Sequence, residues 1–236
     1  MSGVVATPGA VKFKNKFYVA YSGRELANGL GERYLGLAVA DNPLGPFTKT
    51  PDPIVSLTGF PDQPACFDDP QLVAPPGDAE LFLYYRYARW IQREWEDPSQ
   101  AGAHDYSVRV RTTTDPAHGW SDSRIIIDTP SGSVNEPVEA KWIDGQFVLG
   151  VLDYKPDTAL YVSTDGLNYS RTTLPNLSDH LSVFRPNPAA SLSGLLVDGQ
   201  GKLRFVNTAG NTDTKGHFTQ WVLPAKSAGS SKNNLK

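Results

Sequence analysis

Carboxylate side chains stand directly before proline at two places in the chain, Asp69 and Glu136, and Thr7 has the same position earlier. Each of these three pairs is followed by a short apolar run, a turn and an aromatic-rich strand. The chain therefore contains a repeated unit in which the residue before proline changes from Thr to Asp to Glu. Acids at matching positions of successive units predict carboxylates that converge on one centre, with Asp68 as a neighbour of Asp69 in the turn.

Two carboxylates that approach one axis cannot both ionise cheaply, so one of them tends to keep its proton. A protonated acid beside an ionised partner is the arrangement that glycoside hydrolysis requires. The alternative is structural, because Asp-Pro and Glu-Pro are common turn starts, and Asp69 and Glu136 would then only begin the turns before two strands. The recurrence of an acid at the same place in two units favours the chemical interpretation.

The elements that must position these acids are short strands separated by turns. Each unit closes on Asp or Asn, a few turn residues and an aromatic residue, and the closing aromatics are Phe47, Trp120, Tyr169 and Phe218. Matching strands recur at intervals of roughly 55–65 residues, which allows four antiparallel strands in each unit. No segment shows helical periodicity. The pattern predicts an all-β chain folded as a β-propeller over residues 1–224, with about four readable blades that start near residues 6, 67, 134 and 184.

Composition narrows the possible partners of the 236-residue chain. Its net charge of −3 does not indicate binding to nucleic acid or to an anionic membrane surface. We find no apolar run near the roughly 20 residues of a membrane span and expect no signal peptide, and the compartment cannot be inferred. The polar tail at 225–236 is predicted to be disordered, and no cofactor is indicated.

Other side chains are candidates for binding a substrate. Arg185 and Arg86 would hydrogen-bond a sugar hydroxyl or form structural salt bridges, and Asp68 is a further candidate ligand. Trp90, in an insertion at 88–104, would stack on a sugar face or pack the insertion onto its blade. His180 would line the axis, but one His without partners does not predict a metal site.

Beyond these patterns, the sequence resembles the five-bladed propeller glycoside hydrolases. The resemblance rests on Asp69 before proline at one blade start and on Glu136 before proline at the next. A third feature is the segment 34–47, Tyr-Leu-Gly-Leu-Ala-Val-Ala-Asp-Asn-Pro-Leu-Gly-Pro-Phe. Family 43 is the most similar in overall pattern, and families 117 and 32 are also similar. The resemblance implies a carbohydrate substrate, with Glu136 as general acid and Asp69 as the carboxylate that tunes its pKa and positions the sugar.

In family 43 the catalytic base is an Asp supplied by an earlier blade, and no Asp-Pro pair precedes Thr7. We therefore expect the chain to be a fragment or to lack this group, and to be inactive as it stands. An open arc with an unprotected sheet edge, prone to self-association, is also expected. Other segments of the chain, such as Phe-Arg-Pro at 184–186, resemble patterns of family 117. In that family a His can serve as the acid, whereas this chain has Glu136 at the corresponding blade start.

These patterns support two functional hypotheses. The first is a glycosidase acting on a plant or algal polysaccharide or its oligosaccharides. The second is a non-catalytic propeller that binds carbohydrate or protein.

Overall fold

The computed structural model describes residues 4–24, 33–56, 65–89, 106–128, 135–153, 159–172, 190–197, 203–209 and 217–222. All regular structure in these ranges is β-strand. In chain order the strands are β1 Val4–Phe13, β2 Lys16–Arg24, β3 Arg33–Ala40, β4 Thr48–Lys49, β5 Ala65–Val73, β6 Leu81–Arg89, β7 Tyr106–Thr113, β8 Arg124–Asp128, β9 Asn135–Ile143, β10 Gln146–Asp153, β11 Ala159–Ser163, β12 Ser170–Thr172, β13 Ala190–Val197, β14 Leu203–Ala209 and β15 His217–Val222. No helix in the described part of the chain has the length and apolarity needed to cross a membrane.

The strands form four successive antiparallel meanders. These are β1–β4, β5–β8 and β9–β12, followed by the described strands β13–β15. The first two meanders are joined through one parallel pairing of Arg33 with Cys66. The first strand of each meander packs beside the first strand of the next, β1 beside β5, β5 beside β9 and β9 beside β13. Sheets laid side by side with their first strands adjacent are the blades of a β-propeller, and the predicted fold class is confirmed.

The core lies between neighbouring blades, and β6 shows why. Residues 81–88 are all buried, and because alternate side chains of a strand face opposite sides, β6 serves two cores. Leu83 and Tyr85 pack with Leu35 and Leu37 between the first two blades. Phe82 and Tyr84 pack with other residues, including Phe147, between the second and third blades. A strand buried on both faces reads as a continuous apolar run, which fits the middle strand of a sheet packed between two others.

The turn that closes the third blade also joins it to the second. Asp165 accepts hydrogen bonds from the backbone N–H groups of Leu167 and Asn168, and this caps the turn. The Tyr84 hydroxyl donates to the carbonyl of Gly166 at 3.1 Å. Gly166 has a φ of +75°, and an added Cβ would lie 2.7 Å from Phe82, so both space and conformation require glycine.

The closing aromatic residues do not all have the packing role that their recurrence suggests. Tyr169 and Trp120 are partly buried against the two cores, and Tyr169 makes an edge-on contact with Tyr84. Phe47 is instead 38% exposed. Phe47 therefore does not pack between two blades, and both residues of the short strand β4 that follows it are exposed as well. Phe218 lies on β15, and its side chain is outside the described residues.

The X-Pro pairs lie within the first strands of the blades, where the sequence predicted turns before them. The pairing of β1 with β2 shifts register between Ala6 and Gly9, and that of β5 with β6 shifts between Asp68 and Gln71. Proline has no N–H for the ladder, so a strand tolerates it at a bulge of this kind. The strand resumes after the bulge, and Asp68 is therefore a strand residue and not a neighbour in a turn.

Candidate functional site

The bulges of the first two blades lie against each other. A Cβ added to Gly9 would be 2.2 Å from the carbonyl oxygen of Pro70, so only glycine allows this approach of β1 to β5. Thr7 and Asp69 precede the two prolines and have positive φ angles of 46° and 52°. This region is costly for residues other than glycine, and such strain is found disproportionately at functional sites. The repeat therefore gives Thr7 and Asp69 matching backbone geometry on neighbouring first strands.

Asp68 is the centre of the polar cluster at these bulges, and it is 1% exposed. Its Oδ1 accepts hydrogen bonds from the Thr7 hydroxyl at 2.9 Å and from the backbone N–H of Asp69 at 3.0 Å. Its Oδ2 accepts from the Arg86 guanidinium at 3.1 Å and also from Arg33 Nη1. Thr7 and Arg33 belong to the first blade, and Asp68 and Arg86 to the second. A buried carboxylate thus connects two blades at their inner ends.

The environment of Asp68 favours its ionised form. Burial acts to raise the pKa of the carboxyl group, but the guanidinium groups of Arg86 and Arg33 outweigh it. Hydroxyl groups from Ser22 and Thr7 add to the lowering, so the pKa of Asp68 lies below its ordinary value. Asp68 is consequently a fixed negative charge that orients its two arginines.

Arg86 links the two neighbouring carboxylates. Its Nη2 contacts Asp68, and its Nε lies 3.4 Å from Oδ2 of Asp69. The side chains of Arg86 and Asp69 are 10% and 16% exposed, so the contact is largely shielded from water. Because Arg86 is held by a buried anion, its guanidinium group places a positive charge at a fixed position beside the Asp69 carboxylate.

The sequence did not predict that residues of the first blade belong to this polar cluster. Arg33, at the first position of β3, forms an ion pair with Asp68, and the Thr7 and Ser22 hydroxyls lie 2.9 Å apart beside it. Arg33 is separated from Asp68 by 35 positions in the chain, and no local pattern marks such a pair. The one available signal was the recurrence of Thr7 at the position that Asp69 occupies in the next unit.

The structure thus brings together three of the predicted site residues, namely Asp68, Asp69 and Arg86. Glu136 lies on β9, the first strand of the next blade, where its backbone pairs with Leu152. Its side chain is outside the described residues.

Arg185, Trp90 and His180 also lie outside the described residues. Among the described side chains, no group of three or more residues of metal-ligating type is placed to hold a metal ion. Glu139, two positions beyond Pro137, is ion-paired with Lys141 at 2.5 Å.

No protein-family model matches the sequence, and no curated protein matches it. Solved structures do match. The structure of a thermostable family-43 glycoside hydrolase is 19% identical with a TM-score of 0.64, over 93% of this chain and 72% of that one. A family 117 glycoside hydrolase from the marine bacterium Zobellia galactanivorans is 19% identical with a TM-score of 0.55, over 92% of this chain and 59% of that one.

A leech intramolecular trans-sialidase is 11% identical with a TM-score of 0.64, over 95% of this chain and 51% of that one. The chain therefore spans less than two thirds of the second and third of these proteins. At such identities the likeness concerns the fold, which enzymes of different specificity share. The resemblance to the propeller glycoside hydrolases of families 43 and 117 is confirmed at that level, and the chain has their fold.

Proposed function

We propose that the chain is a carbohydrate-active propeller of the glycoside hydrolase type, which acts on a plant or algal polysaccharide or its oligosaccharides. The observation that carries the proposal is the anchored carboxylate at the inner end of the second blade. Asp69 sits on a strained bulge and is held by Arg86, which is fixed in turn by the buried Asp68. Anchored groups of this kind suit a site that must hold a substrate in one geometry.

The proposed roles follow from the two blades that carry acids. Glu136 gives its proton to the leaving oxygen of the scissile bond, and Asp69 holds the sugar and tunes the pKa of Glu136. Asp69 and Glu136 lie on adjacent first strands, β5 and β9, which supports their approach to one substrate. Arg185, Trp90 and His180 remain candidates for additional contacts with the sugar.

The test is the substitution Glu136→Gln in a full-length version of the protein that carries the blade of the catalytic base, assayed by the release of products from arabino-, xylo- and agaro-oligosaccharides. Loss of a general acid should lower the rate by about 10²- to 10⁴-fold. Glu139→Gln is the matched control, because Glu139 lies on the same strand and is paired with Lys141. Rates near those of the unsubstituted protein for Glu136→Gln would reject its assignment as the acid.

A second candidate function is a propeller that binds carbohydrate without cleaving it. The observation that favours it is that the Asp69 carboxylate is ion-paired with Arg86, and a paired carboxylate and guanidinium can hydrogen-bond hydroxyl groups without transferring a proton. Calorimetric titration with the same oligosaccharides, run beside the product assay, separates the two functions. Binding without products favours this second candidate. Self-association through an exposed sheet edge stays a prediction, which measurement of the molecular mass in solution would test.

A further inference from the structure

The further inference concerns Arg33, which the buried Asp68 holds at the edge of the polar cluster. The two arginines of the cluster differ in exposure. The side chain of Arg86 is 10% exposed and contacts both carboxylates, whereas that of Arg33 is 33% exposed and contacts Asp68. The Arg86 side chain is therefore largely buried, whereas the Arg33 side chain contacts the buried Asp68 carboxylate and is also accessible to solvent.

A guanidinium group carries five N–H donors in one plane. Among the described residues, Arg33 uses Nη1 to reach Asp68. The ion pair holds one end of the group at Nη1 while a third of the side chain stays open to water. A donor group that is already held by a partner loses less freedom when a ligand binds, and its remaining N–H groups keep the planar arrangement that suits recognition.

We infer that Arg33 is a sugar-binding, specificity-determining residue that donates hydrogen bonds to hydroxyl groups of a neutral saccharide. This inference rests on the proposed carbohydrate function. It names a contact on the first blade and the kind of sugar that would be bound there.

The charges of the cluster indicate a neutral sugar. Asp68 and Asp69 contribute two negative charges, and Arg33 and Arg86 contribute two positive charges, so the described ionic groups balance. A uronic acid or a sulfated sugar would add a negative charge to a cluster whose two guanidinium groups are already paired with carboxylates, and an unmatched charge of this kind is unfavourable. Hydroxyl groups accept from the guanidinium without this cost.

The experiment compares Arg33→Lys with the unsubstituted full chain. Lysine keeps the positive charge beside Asp68 but loses the planar set of donors. Titration calorimetry with neutral xylo-oligosaccharides, arabino-oligosaccharides and agaro-oligosaccharides should show binding weakened about tenfold, which corresponds to the loss of one good charge-assisted contact. The unfolding temperature should change little. Arg124→Lys is the matched control and should bind like the unsubstituted protein, because Arg124 is exposed and bonds Asn168 at the far side of the second blade.

Three outcomes would overturn the inference. Unchanged binding by Arg33→Lys would show that Arg33 only supports the fold, and this result leaves the hydrolytic function standing if products still form. Tighter binding of uronate-containing oligosaccharides than of neutral ones would reject the neutral class. Absence of binding of any of these sugars by the unsubstituted chain would also reject it. Conversely, weakened binding by Arg33→Lys in a chain that releases no products would support the inference and reject hydrolysis by the chain as given.

Discussion

Replacement of Asp68 by Asn should destabilise the protein strongly, because it removes the charge on which two arginines converge. The side chain of Asp68 is 2% exposed, and that of Arg86 is 10% exposed. Breaking a buried ion pair by removing one partner costs about 3–5 kcal/mol, because the remaining charge stays buried. The pair with Arg33 adds less, since a third of that side chain is in water and an exposed pair contributes roughly 0–1 kcal/mol.

We therefore expect Asp68→Asn to lower the free energy of unfolding by about 3 kcal/mol at neutral pH. For a chain of this length that loss corresponds to a fall of roughly 6–12 °C in the unfolding temperature. Asp41→Asn is the control, because Asp41 pairs with Lys16 at 3.7 Å with side chains 90% and 53% exposed. It should change the free energy by less than about 0.5 kcal/mol.

The dependence on pH provides an independent check of the same reasoning. The folded-state pKa of Asp68 is lowered, since the arginines outweigh the effect of burial. Its contribution to stability is therefore fully present above the unfolded-state pKa of about 3.9 and is lost as the pH falls through the folded-state pKa. Urea unfolding of the unsubstituted protein and Asp68→Asn should give a constant difference from neutral pH down to about pH 5, and a shrinking one below about pH 4. A variant as stable as the unsubstituted protein at pH 7, or a difference unchanged at pH 2, would refute the assignment of Asp68 as the ionised centre.

Two further predictions concern the contacts between blades. Gly9→Ala places a Cβ 2.2 Å from the Pro70 carbonyl oxygen and should lower the free energy of unfolding in urea by about 1–3 kcal/mol. Gly23→Ala is the control and should lower it less, because its Cβ would have its nearest neighbour at 3.9 Å. Equal losses in the two variants would contradict the close approach of the first strands. Tyr84→Phe removes the hydrogen bond to the Gly166 carbonyl and should lower the free energy of unfolding by about 1–3 kcal/mol, measured in the same way; an unchanged value would mean that the closing turn is not held by this bond.

The sequence was sufficient to predict the inner strands of the blades and their hairpin turns, because these depend on local chemistry, but it did not predict the outer strands β8 and β12. The hairpin turns at Lys14-Asn15 and Asp144-Gly145 each contain Asn, Asp or Gly, which accept positive φ, and all four turn residues have it. The buried run over 81–88, which is apolar or aromatic except for Arg86, likewise predicts a strand. Such features follow from a few neighbouring residues, and the predicted fold class followed from their repetition.

The bulges and the ion pair at the inner ends of the blades could not be predicted from local sequence in the same way. Proline after Thr7 and Asp69 suggested that strands begin beyond it, whereas β1 and β5 continue on both sides of a bulge. Whether proline ends a strand or sits in a bulge depends on pairing with the next strand, which the local sequence does not contain. The ion pair between Arg33 and Asp68 depends on the packing of two blades for the same reason.

The central claim is that a sugar binds where the first strands of adjacent blades bring their bulges together. The most direct measurement is a crystal structure of the full chain soaked with the oligosaccharide that binds most tightly in calorimetry. We predict electron density for the sugar beside the first strands β1, β5 and β9, with a sugar hydroxyl within hydrogen-bonding distance of Asp69. A sugar bound at the outer rim of a blade, with the Asp69 and Arg86 cluster left in contact with solvent alone, would contradict the claim.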